Sequence, residues 1–197
     1  MKGVLLSYIP KESLKSYDLD WKNLLPHLVY TFAIEKISRA CSHQLVRHRF
    51  ASYSQQSQRY ITVKRLKEKF VIPPTIKCEE KFKELVGEAS KTYHSFVDQG
   101  VPKEDARYVL PNATETSLLM TMDGKSLFHF FGLRCCNRAQ WEIKKLADEL
   151  LYQVRCEEPE IFNNAGPYCY QLGYCPEGRF TCGKMQEAIK NYNVKKN

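Results

Sequence analysis

One segment of the sequence concentrates arginine, histidine and polar side chains that could bind a charged ligand. Arg47, His48 and Arg49 are consecutive, and after seven further residues a Ser-Gln-Arg run occupies positions 57–59. Guanidinium groups donate paired hydrogen bonds to phosphate oxygens, and amides can read the edge of a base. Because residues 38–60 contain no acid, these arginines have no local counter-ion. The pattern therefore favours a phosphorylated ligand, and the alternative is a solvated basic surface.

The composition is that of one globular domain. The 197 residues carry a formal net charge of +8, with 43% hydrophobic and 26% charged residues, which excludes a disordered chain. No apolar run approaches the roughly 20 residues of a membrane-spanning helix. The apolar stretch 4–9 ends at Pro10 and is too short for the apolar core of a secretory signal. We expect a cytoplasmic protein without a membrane partner, whose eight cysteines are reduced or metal-bound.

Strands and helices must position these side chains, and their mixture indicates an α+β fold. Alternating apolar residues predict a strand at 28–37, and alternating Thr or Ser with Leu or Met predicts a second at 114–122. Helical spacing predicts helices at 38–49, 77–99, 102–110, 125–135 and 139–156, with the apolar stripe of 77–99 in the core. Residues 51–60 are predicted to form an ordered polar loop or a short helical turn. The glycine- and proline-rich residues after 156 predict little regular structure before a short terminal helix.

The sequence RHRFASYSQQSQRY at 47–60 resembles the signature of the flavin-dependent thymidylate synthases, in which Arg-His-Arg and seven further residues precede a serine. Other matches follow in the family's order. Upstream are Tyr30-Thr31-Phe32 and Gln44, and downstream are residues 107–111, Arg134 and residues 139–143. Because several separate matches in order are more specific than one motif, the resemblance covers residues 28 to about 150.

The resemblance implies the reaction and the assembly. The family makes dTMP from dUMP, with methylenetetrahydrofolate as carbon donor and NADPH as reductant acting through FAD. The fold expected from it is a single domain with a small, mostly antiparallel sheet flanked by long helices, assembling as a homotetramer with shared active sites. Residues 1–156 would form the synthase domain, and residues 157–197 a Cys/Gly/Pro-rich extension packed on it.

The resemblance also implies two sets of binding residues and one catalytic residue. Contacts to FAD are expected from Arg47, His48, Arg49, Gln55, Asp123, Gly124, Lys125 and His129. Contacts to dUMP are expected from Gln44, Arg47, Gln55, Gln56, Ser57, Gln58, Arg59, Arg107 and Arg134. The catalytic residue is Arg134, whose fixed charge would stabilise the uracil ring ionised at N3.

Helix geometry adds a constraint on the residues expected from helix 125–135. At about 100° per residue, Lys125 and His129 lie near one face, whereas Arg134 lies on the opposite side from Lys125. One isolated site can hardly use all three side chains. The helix is therefore expected to serve two sites or two ligands, as a tetramer with shared active sites would allow.

The C-terminal cysteines could bind a structural metal ion. Cys156, Cys169, Cys175 and Cys182 are separated by twelve, five and six residues, and four thiolates can hold zinc tetrahedrally. The spacing lacks a C-x2-C element, so reduced cysteines without metal are the alternative. Cys135 and Cys136 follow Arg134 but have no catalytic partner in the sequence, and they are left out of the predicted site.

A basic nucleic-acid-binding protein is the alternative from another class of function. It would use the basic residues within 39–69, with the cysteine-rich tail as a zinc module. The segment has neither the aromatic stacking pattern of single-strand binders nor a helix-turn-helix or C2H2 spacing. We therefore expect no nucleic-acid partner, and a yellow flavin-containing preparation would discriminate the two functions.

Overall fold

A sheet of antiparallel strands organises the computed structural model, which describes residues 1–14, 16, 20–63 and 66–193. Within these ranges the strands are β1 Lys2–Tyr8, β2 Val29–Ser38, β3 Ala51–Gln55 and β4 Glu115–Asp123, in the order β1-β2-β4-β3. In β2, Tyr30, Phe32 and Ile34 are fully buried, as alternation with one covered face requires. The predicted strands 28–37 and 114–122 and the antiparallel sheet are confirmed.

Helices complete the α+β fold. They are α1 Trp21–Leu24, α2 Arg39–Leu45, α3 Glu79–Asp98, α4 Lys103–Ala106, α5 Gly124–Arg134, α6 Trp141–Glu157, α7 Pro159–Phe162, α8 Tyr168–Leu172 and α9 Met185–Tyr192. Short 3₁₀ turns occupy Lys11–Leu14, Leu25–His27, Leu66–Glu68, Arg107–Val109 and Gly178–Phe180. The predicted long helices correspond to α3, α5 and α6, and the predicted terminal helix to α9. Of the helices in the described ranges, none has the length and apolar content needed to cross a membrane.

The core forms where α5 and α6 cover one face of the sheet. Leu146, Leu150 and Val154 of α6 are fully buried, and each such side chain contributes about 1.5–3 kcal/mol to folding. Gly3 of β1 allows the close approach, because a Cβ there would lie 2.6 Å from Leu150 Cδ2. The helix α6 is therefore packed tightly against one face of the sheet.

A buried carboxylate fixes the junction between β2 and α2. The hydroxyl of Ser38 accepts a hydrogen bond from the Cys41 amide at 3.0 Å and caps α2. Glu142 of α6, only 2% exposed, accepts from the Ser38 amide at 2.7 Å and the Ser38 hydroxyl at 2.5 Å. Burying a carboxylate without hydrogen-bond donors costs free energy. Glu142 therefore keeps its bonds to Ser38, and these bonds hold the start of α2 against α6.

Two sequence-based predictions in this region are wrong. The helix predicted at 38–49 ends at Leu45, so Arg47–Arg49 lie in a turn. The polar loop predicted at 51–60 begins with β3: Tyr53 is half-buried, whereas Ser52 and Ser54 are exposed. As an edge strand, β3 is held along one side by backbone pairing with β4, which does not depend on apolar side chains. Composition alone did not indicate this strand because few of its residues are apolar.

The helix α3 is only partly buried in the chain. Val86 and Tyr93 are buried, whereas Leu85 is 62% exposed, so the prediction that the whole apolar stripe lies in the core is wrong for this chain. The stripe is partly exposed because α3 does not lie over the sheet. It packs instead against Leu66–Glu68, α4 and Arg107–Val109.

The residues after α6 fold back onto α6 through its polar side chains. Arg155 donates to the backbone oxygens of Ala165 at 2.6 Å and Tyr192 at 3.0 Å. The Tyr192 hydroxyl lies 2.5 Å from a carboxylate oxygen of Asp148. These bonds hold α9 against α6. Residues 194–197 of the predicted C-terminal extension, and residues 15, 17–19, 64 and 65 of the predicted synthase domain, lie outside the described residues.

Candidate active site

The Arg47-His48-Arg49 segment forms the turn between α2 and β3. Arg47 and Arg49 are exposed, whereas His48 points inward and is only 8% exposed. The hydroxyl of Tyr53 donates to the backbone oxygens of Leu45 at 2.8 Å and His48 at 3.2 Å. Tyr53 therefore fixes the turn against β3, with two cations facing solvent and the histidine facing the protein.

His48 receives the side chain of the predicted catalytic arginine. Arg134 Nε donates to His48 Nε2 at 2.9 Å, and Arg134 Nη2 lies 3.5 Å from the Gln44 backbone oxygen. A histidine nitrogen accepts a hydrogen bond only when it carries no proton. Burial first, and then the charges of Arg134 and His129, lower the pKa of His48 from 6.5 to about 4. His48 is therefore a neutral acceptor that orients Arg134.

Arg134 is held at the C-terminal end of α5 with donors to spare. Its side chain is half-buried, and burial lowers its pKa, but a guanidinium remains charged at neutral pH. The negative end of the α5 dipole favours a cation at this position. Nε donates to His48 and Nη2 to the Gln44 oxygen, so Nη1 and the second hydrogen of Nη2 are the donors that can face a ligand.

The remaining predicted residues of α5 differ in what they can offer a ligand. Asp123 caps the helix, accepting from the Ser126 amide at 2.7 Å and the Ser126 hydroxyl at 3.0 Å. Gly124 is buried, its amide donates to Leu28 O at 2.7 Å, and a Cβ there would lie 2.9 Å from Leu25 O. Both residues therefore shape the start of α5, whereas the side chain of Lys125 is exposed.

His129 lies close to His48 from the exposed side of α5. The centres of the two imidazole rings are 6.0 Å apart, and His129 Nδ1 is 2.5 Å from the Tyr168 hydroxyl. The expectation that α5 serves two sites or two ligands stays a prediction. Although their helical angles differ, His129 and Arg134 both approach His48, because the histidine ring lies beside the helix.

The residues expected to bind dUMP form a second group around β3 and the following turn. Gln56, Ser57 and Gln58 line a cavity of about 350 Å³ together with Thr116. The side-chain amide of Gln55 donates to Ser42 Oγ at 3.1 Å and to Thr116 Oγ1 at 3.2 Å, and so ties β3 to α2 and β4. Its amide nitrogen is therefore engaged within the chain.

Two predicted arginines of this group converge on one glutamate. Arg59 forms an ion pair with Glu104, with Nη2 2.6 Å and Nε 2.7 Å from the same carboxylate oxygen. Arg107 Nε donates to the Glu104 backbone oxygen at 3.1 Å. The two arginines come from distant parts of the sequence, and α4 brings them together at the surface.

The predicted set of metal-binding cysteines is not brought together. Cys156 is exposed and lines a groove with residues 5–8 of β1. Cys169, Cys175 and Cys182 instead line another cavity, together with Cys136. Among the described residues, no three His, Cys, Asp or Glu side chains are close enough together to hold one metal ion as they stand. The sequence-based assignment of Cys156 to this group is therefore corrected.

Sequence reasoning did not identify Tyr53 and Tyr168 as part of the site. Tyr53 lies within the signature, and its position in an alternating Ala-Ser-Tyr-Ser-Gln stretch was a signal for an inward-facing residue of a strand. Tyr168 reaches His129 from a glycine- and proline-rich segment, 39 residues further along the chain. No local pattern indicated that contact.

The chain is similar in sequence to one family of known proteins. The family profile described as thymidylate synthase complementing protein matches residues 16–160. The flavin-dependent thymidylate synthase of Geobacter sulfurreducens is 52% identical over 177 residues, covering 88% of this chain and 76% of the relative. That of Pyrococcus abyssi is 47% identical over 166 residues, covering 79% of this chain and 68% of the relative.

A solved structure shows the same fold at lower identity. Thymidylate synthase X of Helicobacter pylori, crystallised with FAD and dUMP, superposes with a TM-score of 0.67 at 24% identity, covering 82% of this chain and 97% of that one. The profile match over residues 16–160 and the relatives at 52% and 47% identity define the class of protein. The chain belongs to the flavin-dependent thymidylate synthase family and is an enzyme of that class.

Proposed function

We propose that this enzyme converts dUMP to dTMP, with methylenetetrahydrofolate as the carbon donor and NADPH as the reductant acting through FAD. Membership of the family and the FAD and dUMP in the Helicobacter structure support the proposal. The observation that carries it is the half-buried guanidinium of Arg134, which is held by a neutral histidine and keeps its Nη1 donors available.

Arg134 is proposed to activate the pyrimidine. Carbon 5 of uracil is a poor nucleophile until the ring carries negative charge, which ionisation at N3 supplies. A fixed guanidinium stabilises that charge without giving up its own proton. Because His48 is neutral and accepts from Nε, it orients the cation and adds no competing charge.

The residues beside His48 fit a flavin nucleotide. Arg47 and Arg49 are exposed, and within the described ranges neither is paired with a carboxylate, so both can bind the pyrophosphate of FAD. His129 and Lys125 supply further donors from the exposed side of α5. When bound, FAD supplies the redox chemistry that passes reducing equivalents from NADPH to the substrate.

The second group is proposed to bind the phosphate and sugar of dUMP. Arg59 and Arg107 are cations on one surface, next to the polar cavity lined by Gln56, Ser57 and Gln58. The ion pair of Arg59 with Glu104 is exposed to solvent, which screens it and makes it weak. A dianionic phosphate can therefore replace the carboxylate at small cost.

A homotetramer with shared active sites is proposed as the working assembly. The two groups of binding residues lie on different elements, and aromatic side chains beside each are largely exposed, with Phe50 and Tyr108 both at 84%. Light scattering on the purified protein should give four times the mass of one chain, and a monomer would refute the shared site.

We further propose that residues 1–156 form the synthase domain, with residues 157–197 packed on it, and that the enzyme acts in the cytoplasm.

The reaction can be tested directly on the purified protein. A yellow preparation with bound FAD should bleach when NADPH is added, and with dUMP and methylenetetrahydrofolate it should release dTMP, measured by chromatography. We expect Arg134→Ala to lower turnover by at least about a hundredfold, which corresponds to about 2.7 kcal/mol of lost transition-state stabilisation.

Two variants control for loss of charge alone. Arg134→Lys keeps the charge but lacks the Nε that donates to His48, so its activity should remain well below that of the wild type. Lys145→Ala removes a cation from the exposed side of α6 and should leave turnover unchanged. Full turnover by Arg134→Ala, with FAD still bound, would contradict the proposed role.

A further inference from the structure

Four cysteine side chains from two distant parts of the chain line one cavity beyond the end of α5. Cys136 lies between α5 and α6, Cys169 lies in α8, and Cys175 and Cys182 lie in the following segment. The cavity has a volume of about 360 Å³. All four thiols are free and partly buried. Four of the eight cysteines therefore lie around this one cavity.

The burial pattern of the segment that carries two of these cysteines is unusual. Between residues 172 and 184, every residue is exposed apart from Cys175 and Cys182. The 3₁₀ turn Gly178–Phe180 has no buried residue. The apolar side chains of this segment, Leu172, Tyr174 and Phe180, are themselves largely exposed and hold it only weakly on the protein. Its cysteines are therefore its main inward-facing anchors, a pattern typical of segments held by a metal centre.

Two cationic side chains share the cavity with the four thiols. Arg134 and Arg138 line the same cavity, and their positive charges would offset the excess negative charge of four thiolates around a metal.

Local packing brings the two parts of the chain together before any metal is considered. Gly132 lets the ring of Tyr168 approach α5, because a Cβ on it would lie 2.7 Å from ring carbons. The side-chain amide of Gln171 donates to the Phe128 oxygen at 2.9 Å, and Arg138 donates to the Phe180 oxygen. These contacts place Cys169 and the residues that follow it beside Cys136.

We propose that Cys136, Cys169, Cys175 and Cys182 bind a metal centre through four thiolates, as either one zinc ion or one iron–sulfur cluster. Binding converts each thiol to a thiolate and releases its proton to solvent. A single zinc ion needs sulfurs about 3.8 Å apart around Zn–S bonds of about 2.3 Å, so the side chains must rotate inward from their present positions. A cluster needs a wider spacing and also fits a cavity of this volume.

Metal analysis of the whole enzyme tests this inference independently of thymidylate synthesis. Protein is purified without oxygen and without chelators, and zinc, iron and acid-labile sulfide are measured per chain. Zinc at about one per chain without sulfide identifies the single ion, and iron with matching sulfide identifies the cluster. Protein with neither metal, which also takes up neither zinc nor iron and sulfide on reconstitution, would overturn the proposal.

Serine variants then assign the ligands. Each of Cys136→Ser, Cys169→Ser, Cys175→Ser and Cys182→Ser should lower the metal content at least tenfold. The matched controls Cys156→Ser and Cys78→Ser change cysteines that are exposed and lie outside the cavity, and they should keep the wild-type metal content. Equal metal content in all six variants would refute the assignment.

A measurement on the wild type remains decisive if the ligand variants fail to fold. Titration with a mercurial thiol reagent should release the metal in step with modification of four thiols per chain. A colorimetric metal indicator measures the released metal. Metal that stays bound after all accessible thiols are modified would overturn a thiolate site. This test needs no substrate, so failure of the proposed reaction would not affect it.

Discussion

The contact between His48 and Arg134 makes the stability of this enzyme depend on pH in a defined window. His48 is buried, and Arg134, His129 and the ring of Phe130 face it. Its pKa falls from 6.5 to about 4 in the folded chain, first through burial. Between these two values the unfolded chain binds a proton that the folded chain does not. The free energy of unfolding should therefore decrease as the pH falls from 6.5 to 4, and this contribution is fully present above 6.5.

The size of this effect follows from the difference between the two pKa values. At about 1.36 kcal/mol per pKa unit, His48 should contribute about 3 kcal/mol of stability at neutral pH that is lost by pH 4. The substitution His48→Gln isolates it, because an amide oxygen can still accept from Arg134 Nε but does not titrate. The difference in unfolding free energy between wild type and variant should shrink by about 3 kcal/mol across the window.

Urea unfolding at a series of pH values, followed by intrinsic fluorescence, measures this difference. Protein and FAD concentrations must be held constant, because ligand binding and self-association shift apparent stability. His43→Gln is the matched control: His43 is exposed, and its pKa is lowered by weaker burial and by Arg39 and Arg47. Parallel pH profiles for wild type and His48→Gln between pH 4 and 6.5 would refute the reasoning.

Two further predictions concern the dUMP group and the packing of the C-terminal residues. Glu104→Gln should lower the KM for dUMP severalfold by freeing Arg59, with little change in stability because the ion pair is exposed. Steady-state kinetics with Glu79→Gln as control tests this, and a raised KM would contradict it. Gly132→Ala should destabilise the chain by about 1–3 kcal/mol, because the new methyl group lies 2.7 Å from the Tyr168 ring. Thermal unfolding checks this, with Gly87→Ala as the control because a Cβ there meets nothing within 4 Å. Equal melting temperatures of the two variants would contradict the prediction.

Periodicity predicted the elements whose burial comes from one clear face. The alternation in β2 and β4 and the helical spacing in α6 are strong, because these elements lie at the centre of the sheet or directly on it. The strand β3 was missed because it is an edge strand of mostly polar residues. Its partner β4 follows 60 residues later in the sequence, and that pairing is not visible in the local pattern.

The chemistry of the candidate site was largely predictable, since residue type limits what a side chain can do. Arg47, Arg49 and Arg134 were recognisable as cations for phosphate or for an ionised ring, and the signature supplied the family. Their partners were not predictable from the pattern. Nothing near Arg134 in the sequence indicates that its acceptor is His48, 86 residues earlier, or that this acceptor is buried and neutral.

The cysteines show the same division between sequence and tertiary structure. The sequence determined that four thiols could form a metal site, because sulfur is a preferred zinc and iron ligand wherever it occurs. Spacing suggested Cys156 as the fourth member, but α6 directs this residue to the groove beside β1. Only the packing of the C-terminal residues against the end of α5 brought Cys136 to the other three. A helix fixes which way each of its residues points, whereas the partner that a residue meets depends on how distant segments pack.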